Sequence, residues 1–373
     1  MTCPSVPTWR WPGSCSSCTD RSWCSCTSTS LPSIRVPARS TASEVAVSAV
    51  GEILVPVSVP TPFIVGPVNL FLYRGEALTL FDTGPKTEDC ETALRELLRA
   101  EGVEVRDLER IVLTHHHIDH CGLLHRLVEE SGAETWAHPD VVMQSRLGDG
   151  EDGDNSRKKY YIALMTELGV PADEQESSML LWDAYKDMID HFEIDRVLPD
   201  ASQIDGFDVY HVPGHSSTDT LFVHRDRGFS IAGDHILERF NPNPLLRRPN
   251  PGQTRGKALV EYQASLHRSR ALPLGTCYPG HGKPIEDPVH VIDGILKQHD
   301  RKNRRILERL PEEGAPPFAV AQILYPELEM PHLYLGLSVA TGQLEVLEAA
   351  GKLRSEHRDG VLYYQRTEGG MVS

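Results

Sequence analysis

The sequence lacks any apolar run approaching the roughly 18 to 20 residues that cross a bilayer, so no membrane-spanning segment is expected. It is poor in positive charge: 37 Lys and Arg face 53 Asp and Glu, for a net charge of −16 and a sequence pI near 5.5. That balance argues against broad adhesion to nucleic acid or anionic membrane, while leaving room for a local basic patch. Cysteine is scarce beyond the first 26 residues, where only Cys90, Cys121 and Cys277 occur. Three scattered thiols make no disulfide framework and fit a reduced, cytoplasmic protein. At 373 residues the chain can hold two domains, or one large domain with an appendage.

The other five cysteines crowd residues 1–42, a Ser/Pro/Arg-rich stretch without periodicity and without the apolar core of a signal peptide. Cys15-x-x-Cys18 and Cys24-x-Cys26 suggest a zinc knuckle, but a disordered extension or a start placed too far upstream explains the composition better. This segment is left out of the fold.

From about Ser43, short β-rich runs (EILVPVSVP, NLFLYRG, ALTLFDTG) precede alternating helix-like and strand-like segments, which indicates an α/β domain over 43–286. Residues 148–196 break the rhythm with two helical stretches rich in Tyr, Met and Trp. They form either a lid over a pocket or an extension of the core or a dimer interface. Residues 287–366 read as three helices and a hairpin turning at Asp359-Gly360, a winged-helix-like module. Its last helix carries Glu345 and Glu348 and no base before Lys352, so nucleic-acid readout is not expected.

The chemistry concentrates in LTHHHIDHCGLLHRL, where His115-x-His117-x-Asp119-His120 follows an apolar strand. Alternate side chains leaving a strand share a direction, so His115 and His117 can meet at one centre while Asp119 and His120 reach a second. Imidazole and carboxylate suit zinc or a similar divalent metal. His215 in VPGHSS, Asp234 in IAGDHIL and His281 in YPGHGK each follow an apolar run beside glycine, and strand ends of an α/β sheet converge on one edge. His116, His125, His138, His211, His224 and His235 are expected to be structural or solvated.

With Asp82 in FDTG as the first motif, this arrangement resembles the metallo-β-lactamase superfamily over roughly residues 45–285. The resemblance implies a four-layer αβ/βα sandwich with a dinuclear site at one edge. His115, His117 and His215 would bind one metal and Asp119, His120 and His281 the other, with Asp234 bridging. It also implies a pair of divalent ions, zinc first and iron or manganese as alternatives, that acidify a shared water into a hydroxide nucleophile. Asp119 is the candidate catalytic proton acceptor, and Asp82 supports the metal loop.

The ligand set departs from true β-lactamases, which usually lack the Asp-His pair or the bridging carboxylate. It is shared with hydroxyacylglutathione hydrolases, whose basic glutathione-holding residues have no match here. A fuller resemblance is to a β-lactamase-like group with a C-terminal winged helix, which includes both thioesterases and endoribonucleases. Large apolar side chains of the insertion (Tyr160, Tyr161, Met165, Met179, Leu181, Trp182, Tyr185, Met188), expected near the pocket mouth, favour a small acyl substrate: an ester, thioester or lactone. Arg157, Lys158, Lys159, Arg247 and Arg248 are candidates for a phosphate or for solvent. A phosphodiesterase or endoribonuclease is the alternative, and an iron-dependent persulfide dioxygenase-like oxidoreductase ranks below it. A homodimer is compatible with the sequence.

Overall fold

A computed structural model describes residues 53–142, 153–175, 186–250, 252–327 and 332–367. The 1–42 extension lies outside the described residues, as do Met179, Leu181, Trp182 and Tyr185 of the insertion.

β1 (Leu54–Val59), β2 (Val68–Arg74) and β3 (Leu78–Phe81) form an antiparallel meander. β4 (Arg110–Val112), β5 (Glu134–Ala137) and β6 (Arg196–Val197) then add in parallel, giving one sheet in the order β1-β2-β3-β4-β5-β6. Parallel neighbours need crossovers. α1 (Glu88–Ala100) supplies the first and α2 (Ile118–Cys121) with α3 (Leu124–Ser131) the second. The start of α1 is written locally: the Thr87 side chain caps Cys90 N–H, and Glu88, Asp89 and Glu91 complement the positive end of the helix. The helical segment after the histidine run is broken in two, with Gly122 between α2 and α3 packed too closely on Ile118, Lys86 and Met188 to carry a side chain.

α4 (Gly153–Glu167) precedes the second sheet, made of β7 (Gln203–Ile204), β8 (Phe207–His211), β9 (Thr220–His224), β10 (Phe229–Gly233) and, beyond α5 (Ala258–Arg270), β11 (Thr276–Pro279). Its order is β11-β10-β9-β8-β7, with only the β10–β11 pair parallel. Aromatic inner faces join the sheets: Phe71, Tyr73 and Phe81 of the first meet Phe207, Phe222 and Phe229 of the second. The outer face of the first sheet is covered by Leu94 and Leu98 of α1 and by Leu124 and Leu127 of α3. Leu259, Tyr262 and Leu266 of α5, with Ile292 and Ile295 of α6 (Pro288–Arg309), cover the second. The layers therefore run αβ/βα.

α6, α7 (Pro317–Leu324) and α8 (Leu333–Ala349) lead into a hairpin of β12 (Leu353–Arg358) and β13 (Val361–Arg366). Asp359 (φ +50°) and Gly360 (φ +83°) make its two-residue turn, as their sequence pattern indicates. α4 packs here. Tyr161 and Met165, 5% and 1% exposed, share a buried cluster with Ile306, Leu337 and Leu344. The expectation that these two side chains line a pocket mouth is thus corrected: they are core. Among the described residues, no helix is long and apolar enough to cross a membrane.

Candidate metal centre

The site lies where β4, β8, β10 and β11 end. β4 delivers Leu113 and Thr114 and then the histidine run, whose His117 caps α2 so that Asp119 and His120 sit in its first turn. His215 comes from the turn before β9, Asp234 directly follows β10, and His281 lies in the turn after β11.

All seven sequence-identified candidates meet. His117 Nδ1 lies 3.1 Å from His115 Nε2 and 2.9 Å from His215 Nε2. Beside this trio, His281 Nε2 stands 3.3 Å from Asp119 Oδ2, and Asp119, His120 and His281 form a second ligand-capable group. Asp234 faces both, with Oδ1 3.4 Å from His120 Nε2 and Oδ2 3.6 Å from His215 Nε2 and 3.5 Å from His281 Nε2.

These residues fit metal ions. Imidazole nitrogens this close repel unless a proton or a cation lies between them. A tetrahedral zinc with bonds of about 2.0–2.1 Å holds its ligand nitrogens roughly 3.3 Å apart, near the spacing seen. His120 Nε2, His281 Nε2 and Asp234 Oδ1 are buried without a hydrogen-bond partner, an arrangement that a bound cation resolves.

Electrostatics follow from crowding. Burial and the surrounding imidazoles hold His115 well below the usual histidine range, and burial with His215 lowers His117 to about 3. Burial opposes charge on His120 too, but Asp82, Asp234 and Asp119 outweigh it and hold His120 well above. His281 is raised against burial by Asp234 and Asp119. Burial raises Asp234, yet His281, His120 and His215 together pull it far below the carboxylate range.

A second set of side chains orients the first. Asp82 Oδ2 accepts from His120 Nδ1 at 2.8 Å, leaving Nε2 turned to the cluster, and the Pro67 carbonyl does the same at 2.8 Å for His281 Nδ1. Asp82 holds φ +61°, a strained backbone for a non-glycine residue, and accepts from Thr114 N and Oγ1 at 2.7 Å each. Sequence motifs missed Thr114, which also contacts His115 Nδ1 at 3.0 Å. They missed Asn69 as well, whose amide donates to the Pro279 and Gly282 carbonyls and fixes the His281 turn. A lone Asn inside the apolar run of β2 was the available signal.

The other histidines singled out in the sequence bond or pack elsewhere, although the His116 ring also meets that of His117 edge-on at 5.0 Å. His116 turns onto Thr218 Oγ1 at 2.8 Å, and His235 Nε2 onto Ser269 Oγ at 2.8 Å. His138 stacks on His211 at 3.9 Å between ring centres, and His224 packs against Phe207 and Phe229. His125 pairs with Glu129 on the surface of α3. Of the basic candidates, Arg247 pairs with Glu261 at 3.0 Å, and Arg248 donates to Ser156 Oγ at 2.8 Å.

The family model of the metallo-β-lactamase superfamily matches residues 64–281. A probable metallo-hydrolase, YqjP of Bacillus subtilis (strain 168), is 33% identical over 323 residues, spanning 84% of this chain and 98% of its own. In fold the chain is similar to the metallo-β-lactamase family protein TTHA1429 of Thermus thermophilus, with a TM-score of 0.71 at 24% identity over 84% of this chain and 98% of that one. It is also similar to a β-lactamase domain protein of Burkholderia ambifaria, with a TM-score of 0.67 at 23% identity over 84% and 92%. On the ligand geometry and these similarities together, the chain belongs to the metallo-β-lactamase superfamily.

Proposed function

We propose that this protein is a dinuclear metal-dependent hydrolase, with zinc as its ions, acting on a small ester or thioester or, as a close variant, a lactone. The observation that carries the reading is the pair of three-residue ligand groups facing each other across Asp234. His115, His117 and His215 would hold one ion, Asp119, His120 and His281 the other, and Asp234 both. Two divalent ions bound there supply Lewis acidity and an acidified water.

The chain's own residues do the rest. Asp82 and the Pro67 carbonyl keep His120 and His281 in the tautomers that present Nε2. Asp119 is the catalytic carboxylate: one oxygen rests at His281, and the other orients the attacking water and takes its proton.

The small-ester reading draws support from how the bases near the C-terminal helices are used. Arg247, Arg255 and Lys257 are held by Glu261, Glu345 and Glu348, which takes these three cations away from a polyanion. We accordingly read the C-terminal helices and hairpin, winged-helix-like in their order, as a packing platform.

The test is turnover of a short acyl thioester, a lactone and a phosphodiester reporter by the metal-loaded protein. Thioester or lactone hydrolysis at least about tenfold above phosphodiester cleavage is the expected result. Phosphodiester cleavage alone would replace the reading with a nuclease.

A further inference from the structure

We propose that a cavity beyond the metal centre, between the loop after β10 and helices α6 and α8, binds a small carboxylate that itself donates hydrogen bonds: an amino or hydroxy acid. The cavity measures about 170 Å³. At roughly 30 Å³ per water that is the space of five or six waters, which suits a ligand of about five to seven heavy atoms and excludes a large one.

Its polar lining is built and unspent. Gln343 is fully buried, and neither atom of its amide has a hydrogen-bond partner. His299, 2% exposed, leaves Nδ1 unpartnered, and Asn241 leaves its Nδ2. Asn243 spends its own Nδ2 on the Leu335 carbonyl at 3.1 Å, which fixes the amide's orientation and leaves Oδ1 free. Buried polar groups are nearly always paired, and leaving one unpaired is costly. Four side chains in this condition around one cavity point to an absent occupant.

The lining also states the occupant's chemistry. Lys302 is the one charged side chain there; no Asp or Glu lines the cavity, and Lys302 makes no ion pair among the described residues. Burial, with Arg301 nearby, holds its ammonium below the usual lysine range, and a carboxylate beside it would relieve that. Burial and Lys302 hold His299 at about 3, so its ring is neutral. Asn241 Nδ2 and Gln343 Nε2 add donors, which suit carboxylate oxygens. Asn243 Oδ1 and Gln343 Oε1 are acceptors, and a bare anion would leave them unpaired. A hydroxyl or ammonium next to the carboxylate satisfies both kinds.

The cavity is separate from the metal centre, since none of its lining residues is a ligand candidate. Tyr262 stands between them, its ring 6.0 Å from His299 and 5.6 Å from His235, which follows Asp234. The proposal therefore does not depend on the hydrolase reading.

The experiment is calorimetric titration of the full-length protein with L-serine, L-lactate, acetate and inorganic phosphate, in wild type, Lys302→Met, Gln343→Leu and Asp234→Ala. Serine or lactate should bind at least tenfold more tightly than acetate or phosphate. That binding should weaken at least tenfold in both cavity variants and persist in Asp234→Ala. Lys302 is partly exposed, so Lys302→Met tests the site even if Gln343→Leu fails to fold. Binding that is lost in Asp234→Ala or unchanged in Lys302→Met would overturn the proposal. So would a preference for acetate or phosphate, or no heat from any of the four at millimolar concentration.

Discussion

Single atoms decide whether this cluster can hold metal. Asp82 is not itself a ligand candidate, yet its Oδ2 fixes which imidazole nitrogen of His120 faces the centre. Asp82→Asn keeps the shape but can present an N–H to His120 Nδ1, which favours the wrong tautomer. Metal affinity should fall about 10- to 100-fold, the usual penalty for losing such a partner, and competition with a chromophoric chelator measures it. His138, away from the centre, gives a pH signature. Burial first, then His211, lowers it to about 4. The unfolded chain therefore takes up a proton near pH 6.5 that the folded chain refuses until about pH 4. Its contribution to stability is complete above pH 6.5 and is lost as pH falls toward 4. Urea midpoints in chelator at pH 7 and pH 5 should drop for the wild type and drop less for His138→Gln; equal drops would remove His138 from the account.

At the scale of elements, strand ends and the turns after them carry the site, and these were the parts legible in the sequence. The Pro-Gly-His turns, the His-rich stretch after an apolar strand and Asp82 before glycine are local patterns whose chemistry does not need the fold to be recognised. Gly280 shows why the glycine belongs to the pattern. A Cβ there would sit against Asp234 Oδ1 and 2.7 Å from His120 Cε1, and its backbone also pairs with Asn69 and Gly233. Gly280→Ala should leave a folded protein with at least tenfold weaker metal binding although no ligand is changed. A circular dichroism spectrum with metal content on the same sample checks both halves. Asn69 and Thr114 were not legible, because Gly282 and Asp82, which they hold, lie 213 and 32 positions away and no local pattern marks the partner.

Across the whole molecule, apolar periodicity found the insertion helix α4 but not its neighbours. Tyr161 and Met165 belong to long-range packing with α6 and α8, which composition alone cannot distinguish from a pocket wall. The same packing makes the C-terminal helices part of the molecule's stability. Leu337 is fully buried in that cluster, so Leu337→Ala should cost about 2–5 kcal/mol. The urea midpoint should shift accordingly at unchanged slope, whereas a loss below ~1 kcal/mol would contradict the shared core.

The central claim is that one carboxylate, Asp234, joins two metal-holding groups. Elemental analysis after zinc loading and removal of free metal tests it directly, on wild type and Asp234→Ala side by side. Two ions per chain in the wild type and at most one in the variant is the predicted result. One ion or none in the wild type, or two retained without Asp234, would contradict it.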